Sequence, residues 1–146
     1  MSVSRVSRKL ANYLYKYRGS LELSVGTMIL GYDSNDKCGT LYYVDNSGAR
    51  IKGDVFAIGS GSTFALSVVD AYAHKVKPLK ELSAQEGIVL GLKAIRSATL
   101  RDAYSGGYIN IYVVTKDGWR KVFSEDLALI SDDDDDLIDV LEEKGV

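Results

Sequence analysis

Clusters of turn residues cut the middle of the chain into β-prone runs that can only be antiparallel neighbours. Asp33-Ser34-Asn35-Asp36 closes a run that opens at Leu23, and Asp45-Asn46-Ser47-Gly48 closes the next, Gly39-Thr40-Leu41-Tyr42-Tyr43-Val44. A parallel pair needs a crossover of a dozen or more residues, which these connections do not contain. A short run at 49–52 and another at 54–58 extend the pattern. A doubly wound nucleotide-binding sheet is thereby excluded from this part of the chain.

Helical spacing takes over on either side. Val3, Val6, Leu10, Leu14 and Tyr17 recur at steps of three and four, which predicts a helix with one apolar stripe, stopped at Gly19. A helix of this kind packs its stripe on a core. The alternative is a basic amphipathic helix for a membrane surface or a calmodulin-like partner. After Gly59-Ser60-Gly61-Ser62 the period changes from strand to helix, with Ala65, Val68, Val69 and Tyr72 on one face. Ser83 and Glu86 have the spacing of a capping box, and they open a helix whose stripe is Ile88, Gly91, Leu92, Ile95, Ala98 and Thr99. The next position on that stripe is Asp102, and Ser105-Gly106-Gly107 is the expected stop. Ile109, Ile111 and Val113 alternate as a strand, which Asp117-Gly118 turns back into residues 119–123. Ser124, Glu125 and Asp126 then read as the start of a final helix. Strands in antiparallel sheets with helices on their faces define an α+β layered domain.

Charge divides the 146 residues into three. Residues 1–18 carry +5, residues 131–146 carry −7, and the part between is balanced, so a folded body is expected between two charged flanks. The five aspartates 132–136 do not alternate with glycine as calcium-loop ligands do, and they read as a solvated acidic tail. A net charge of −2 argues against a general nucleic-acid binder. One cysteine, Cys38, and one histidine, His74, rule out a disulfide framework and a Cys/His zinc site, and fit a reducing compartment. No apolar run approaches the ~20 residues that cross a bilayer, so no membrane partner is expected; with so few metal-ligating side chains, no metal or other cofactor is expected either.

Two places carry possible chemistry. Gly59-Ser60-Gly61-Ser62 lies between a strand and a helix, where N–H groups could meet an anion or an oxyanion; a structural turn with an N-cap serine is the plainer reading. The spacing fits neither a phosphate-binding loop nor a nucleophile elbow, and Ser60 with His74 would make only a weak hydrolase pair. Asp102 continues an apolar stripe at a helix C-terminus, where the dipole disfavours a carboxylate. Compensation is available from Arg101, Ser105 and the N–H groups of Gly106 and Gly107. The carboxylate is either a buried structural cap or a group that orients a nucleophile, and spacing leaves both open.

At Arg101-Asp102-Ala103-Tyr104-Ser105-Gly106-Gly107 the chain resembles the later part of proteasome beta subunits, most closely the type-5, chymotrypsin-like class. The resemblance runs in order through Lys9-Leu10-Ala11-Asn12, Tyr15-Lys16-Tyr17, Ser24-Val25-Gly26-Thr27-Met28-Ile29, Gly31-Tyr32-Asp33, Leu41-Tyr42-Tyr43-Val44-Asp45, Gly59-Ser60-Gly61-Ser62 and Asp117-Gly118-Trp119. It covers residues 2 to about 130. It implies an N-terminal-nucleophile hydrolase fold, an αββα sandwich of antiparallel sheets, present here as its C-terminal portion, with 131–146 as a tail. It also implies a threonine-type endopeptidase whose N-terminal threonine attacks the peptide bond with its own amine as the base.

The resemblance assigns Asp102, Ser105 and Ser60 to the network that supports that threonine. The family's nucleophile and its Asp and Lys partners have no counterpart here. Gly26-Thr27 and Gly39-Thr40 resemble a processing point but read as internal strand residues. The expected partners are other proteasome alpha and beta subunits in stacked rings, with unfolded or ubiquitin-tagged proteins as substrates, in cytoplasm and nucleus. Alone, the chain is expected to be inactive. The rival expectation is a non-catalytic structural or regulatory chain that docks into a beta ring or binds a partner through its charged ends.

Overall fold

The computed structural model describes residues 2–19, 24–33 and 37–126. It is α+β, and its three-stranded sheet is antiparallel. The chain divides into two compact units, Met1–Ile58 with Val114–Gly118, and Gly59–Val113 with Trp119–Val146.

The first unit is a helix, α1 (Val3–Tyr17), on a meander of β1 (Gly26–Asp33), β2 (Cys38–Asp45) and β3 (Arg50–Gly53). Ser2 caps α1 by accepting from the Arg5 N–H, and Gly19 leaves it at φ +75°. The strand register places Ile29 opposite Tyr42, and Val44 opposite both Thr27 and Arg50. Ala11 and Leu14 of α1 pack with Val44 on this face, and Gly31 provides room for Val3. A Cβ at Gly31 would stand 2.7 Å from Val3 Cγ2. Asp45 closes the β2–β3 turn by accepting from Ser47 and from the Ala49 N–H.

The buried face of α1 is rotated from the expected stripe. Val3, Ser7, Ala11 and Leu14 are buried, whereas Val6 is exposed. Ser7 can go inside because its hydroxyl is fully engaged: it donates to Ser4 O at 3.0 Å and accepts from Arg50 Nε at 2.8 Å. The Arg50 guanidinium also reaches Ser4 Oγ at 2.8 Å and lies 3.9 Å over the Tyr42 ring. This interaction ties α1 to the sheet. Its apolar face therefore has an intramolecular partner, which favours the core-packing reading over a membrane-surface helix.

The strand expected at 54–58 does not form. No ladder partner lies beside it among the described residues, and side chains anchor it instead. The Phe56 ring sits 5.7 Å from that of Tyr43 and fills the space a side chain at Gly53 would need, while Ile58 takes the space beside Gly26.

The second unit contains α2 (Ser62–Lys75), a single 3-10 turn (Leu79–Glu81), α3 (Ala84–Arg101), and, apart from Val114–Gly118, a hairpin of β4 (Tyr108–Thr115) and β5 (Gly118–Asp126). The capping box is present: Ser83 Oγ accepts from the Glu86 N–H, and Glu86 accepts from the Ser83 N–H. Lys77 pairs with the Glu86 carboxylate at 2.6 Å. Ile88 and Leu92 of α3 join Ile109 and Phe123 of the hairpin in one core. Leu90, Ala94 and Ala98 are buried as well, so α3 buries more than a single stripe, while Ile95 is exposed.

Gly118, at φ +117°, makes the hairpin turn that Asp117-Gly118 predicts. The helix start expected at Ser124–Asp126 is strand instead, because β5 continues through Asp126; the rest of that expected helix lies outside the described residues. Ser124 is held in the strand pair by its bond to Asn110 Oδ1 at 2.9 Å. The acidic segment 131–146 lies outside the described residues.

Candidate active site

Ser60, Asp102 and Ser105 come together in the second unit. Ser60 Oγ donates to Asp102 Oδ2 at 2.6 Å, and Ser105 Oγ donates to the same oxygen at 2.6 Å. Both distances are those of O–H···O⁻ bonds to a charged acceptor. Tyr104 N–H approaches the other oxygen, Oδ1, at 3.5 Å.

Local backbone geometry builds each position. α3 ends at Arg101, and Asp102 is its C-cap residue, in an extended conformation at φ −102° and ψ 118°. The helix therefore stops before Ser105-Gly106-Gly107. The Asp102 carbonyl accepts from the Ser105 N–H at 3.1 Å, a tight turn that returns the Ser105 hydroxyl to the carboxylate three residues back. Ser60 arrives from the other side on a turn formed by Gly59 at φ +107°, where Ser62 N–H donates to Gly59 O. α2 begins immediately afterwards.

Two expectations are corrected here. The helix N-cap is Gly61, without a side-chain cap, so no serine of the Gly-Ser-Gly-Ser run performs that function. Ser60 instead commits its proton to Asp102. Asp102, for its part, is half-buried rather than buried. Its compensation comes from the two hydroxyls, and the Gly106 and Gly107 N–H groups take no part. The Ser105 hydroxyl first, and the Ser60 hydroxyl second, hold the Asp102 carboxyl below its ordinary value. These donors offset the unfavourable position at a helix C-terminus.

His74 does not join this group. It is exposed in the last turn of α2, about 20 Å along the helix from the end that carries Ser60. Cys38 is exposed at the start of β2, with Sγ 3.8 Å from Thr40 Oγ1. Thr27 and Thr40 both lie inside paired strands, opposite Val44 and Gly31 respectively. Among the described residues no three His, Cys, Asp or Glu side chains gather as metal ligands, and no helix is long and apolar enough to cross a membrane. Sequence reasoning missed the Tyr104 N–H, since a main-chain donor leaves no side-chain signal.

The arrangement defines an acceptor site. Each serine uses its only proton on the carboxylate, so the outward lone pairs of both oxygens face any donor brought to them. Such a pair is suited to an ammonium or a hydroxyl.

Sequence comparisons show the family to which the chain belongs. A model of the proteasome subunit family matches residues 1–114. The chain is 47% identical over 126 residues to the proteasome subunit beta type-5 of Dictyostelium discoideum, covering 86% of this chain and 43% of that protein. It is 48% identical over 127 residues to the beta type-8 subunit of Canis lupus familiaris, covering 87% and 43%. The beta type-5 subunit of Gallus gallus is 43% identical over 132 residues, covering 90% and 48%. The chain belongs to the proteasome subunit family. It spans less than half the length of these curated relatives.

Proposed function

We propose that these residues form part of a beta-type subunit of the 20S proteasome core and supply the supporting half of a threonine-type peptidase centre. The observation that carries this reading is the convergence of Ser60 and Ser105 on one oxygen of Asp102. An N-terminal threonine presents a neutral amine beside a hydroxyl, and the N–H and O–H of both are donors that the two outward-facing serine oxygens can accept. Asp102 fixes the direction of those oxygens and stabilises positive charge on the amine when it takes the hydroxyl proton. The attacking threonine and its Asp and Lys partners come from polypeptide other than residues 1–146.

The fold that goes with this function is the αββα sandwich, with residues 1–130 as one domain and 131–146 as an acidic tail. α1 covers one face of the β1–β3 sheet, while Met28, Leu30 and Ile51 are exposed. The register places these three on the opposite face, which supports a second sheet stacking there. Partners are other alpha and beta subunits in stacked rings, in cytoplasm and nucleus. Substrates are unfolded or ubiquitin-tagged proteins, cut after large hydrophobic residues.

The test is purification of a tagged polypeptide carrying these residues from cells that express the remaining subunits. Co-migration with alpha and beta subunits is expected, as is an absence of peptidase activity in the free chain. Recovery only with an unrelated partner would refute the assignment to the core particle. Turnover of a hydrophobic fluorogenic peptide by the free chain, blocked by a threonine-directed inhibitor, would refute the division of the centre.

A further inference from the structure

The two glycines that flank Ser60 are glycines for different reasons. Gly59 has φ +107°, a left-handed conformation that L side chains rarely adopt, and open space around its α-carbon. Gly61 is the reverse. Its φ of −84° and ψ of 3° are those that L residues adopt at the third position of a type I turn, so the backbone does not require glycine there. Space does. A Cβ at Gly61 would stand 2.9 Å from Ala98 Cβ, 2.9 Å from Ser105 Oγ and 3.2 Å from Asp102 Oδ2. Ordinary heavy-atom contacts are ~3.5–4.0 Å, so a single methyl would collide with both partners of the hydrogen bond beside it and with α3.

We propose that Gly61 is a positioning residue for the Asp102 site. Its bare α-carbon, seated on the small Ala98, lets the start of α2 come close enough to the end of α3 for Ser60 and Ser105 to share one carboxylate oxygen. The inference rests on the functional reading only for its consequence in peptide cleavage; the geometry stands without it.

The contacts to be relieved are too short by several tenths of an ångström or more. The two bonds at 2.6 Å lie near the short end of the O–H···O range of ~2.5–3.0 Å, so a displacement of several tenths of an ångström carries at least one of them to its limit or past it. Gly61→Ala therefore separates at least one hydroxyl from Asp102. A larger residue at position 98 does the same from the α3 side. Ala98→Gly removes one of the three collisions without adding an atom anywhere.

The test is a carboxyl-carbon NMR titration of Asp102 in the full chain. Gly61→Ala is placed in a Gly91→Ala background, because a methyl at Gly91 meets nothing within 4 Å and favours the helix. In the Gly91→Ala chain the Asp102 midpoint stays below the ordinary carboxylate value. Adding Gly61→Ala moves it up, and adding Ala98→Gly to that pair moves it part of the way back. A merely structural glycine would alter the melt and leave the titration where it was.

If the doubly substituted chain does not fold, the same titration is read in the single variant Ala98→Ser, where the added atom crowds Gly61 from the α3 side and is expected to raise the midpoint by a smaller step. An unchanged midpoint in whichever folded variant is read overturns the inference. The functional reading fails separately: if the midpoint moves in an assembled particle while kcat for peptide hydrolysis does not, Gly61 keeps its role and Asp102 loses its part in cleavage.

Discussion

Ser60 and Asp102 lie 42 residues apart in the chain and meet at 2.6 Å, hydroxyl to carboxylate. The contact joins the turn before α2 to the residue that caps α3. The same Asp102 oxygen receives Ser105 from within its own turn. One carboxylate therefore connects a distant loop to a local one.

That carboxylate sets a pH limit on the site. Asp102 is held below its ordinary value by its hydroxyl donors, Ser105 first. A carboxyl lowered in the folded state contributes stability that is fully present above its unfolded value, about 3.9, and is lost as acid carries the solution through the folded value. The Ser60–Asp102–Ser105 cluster is expected to be intact from neutral pH down to about 4 and to come apart below that. Hydroxyl and Tyr104 amide exchange across an acid titration checks this, and Asp102→Asn should remove the dependence.

A second carboxylate behaves similarly at the other end of α3. Glu86 is lowered to about 2, mainly by Lys77, with the Ser83 N–H and hydroxyl adding to it. Its contribution is present above about 4.3 and disappears as pH falls towards 2. The capping serine is testable on its own at neutral pH. Ser83→Ala leaves the Glu86 N–H without its side-chain acceptor and is expected to cost about 1 kcal/mol in a denaturant melt.

Arg50 is expected to resist even conservative replacement. Its guanidinium donates to Ser7 Oγ, Ser4 Oγ and Ser4 O while stacking on Tyr42. Lysine has neither the planar fork nor the stacking face. Arg50→Lys should loosen α1 from the sheet, with a loss of about 2 kcal/mol and faster amide exchange along α1. An unchanged melt would show that the apolar contacts of Ala11 and Leu14 hold the helix unaided.

Leu92 has no exposed surface and packs with Ile88, Ile109 and Phe123. Leu92→Ala is expected to cost about 2–5 kcal/mol, the range for a buried leucine whose cavity closes incompletely. Ile95→Ala, three residues on and exposed, should cost far less. The contrast tests the orientation of α3 directly, because periodicity alone placed both residues on one stripe.

Comparison with the sequence reading shows which physical signals are local. The capping box at Ser83 and Glu86, the turn at Asp117-Gly118 and the meander turn at Asp45-Asn46-Ser47-Gly48 depend on residues a few positions apart, and all three were legible. Residues 54–58 were misread because their alternation suits a strand, whereas strand formation also needs a neighbour to pair with. Ser124 was misread because a serine followed by acids suits a helix start equally well, and its bond to Asn110 is invisible in the sequence.

Ser7 and Val6 exchanged places for a similar reason. The polar residue went inside because Arg50, 43 residues away, was there to satisfy it. At the site, the anomaly of Asp102 at a helix end was visible, and the resemblance assigned it two serines. That both hydroxyls reach a single oxygen required the fold.

The most direct measurement is kcat for cleavage after a large hydrophobic residue by an assembled particle carrying Asp102→Asn, compared with the unsubstituted particle. The amide keeps the shape but removes the charge that directs both hydroxyls, so kcat is expected to fall by about 10²–10⁴-fold with assembly unchanged. An Asp102→Asn particle that assembles normally and cleaves at the unsubstituted rate would contradict the account.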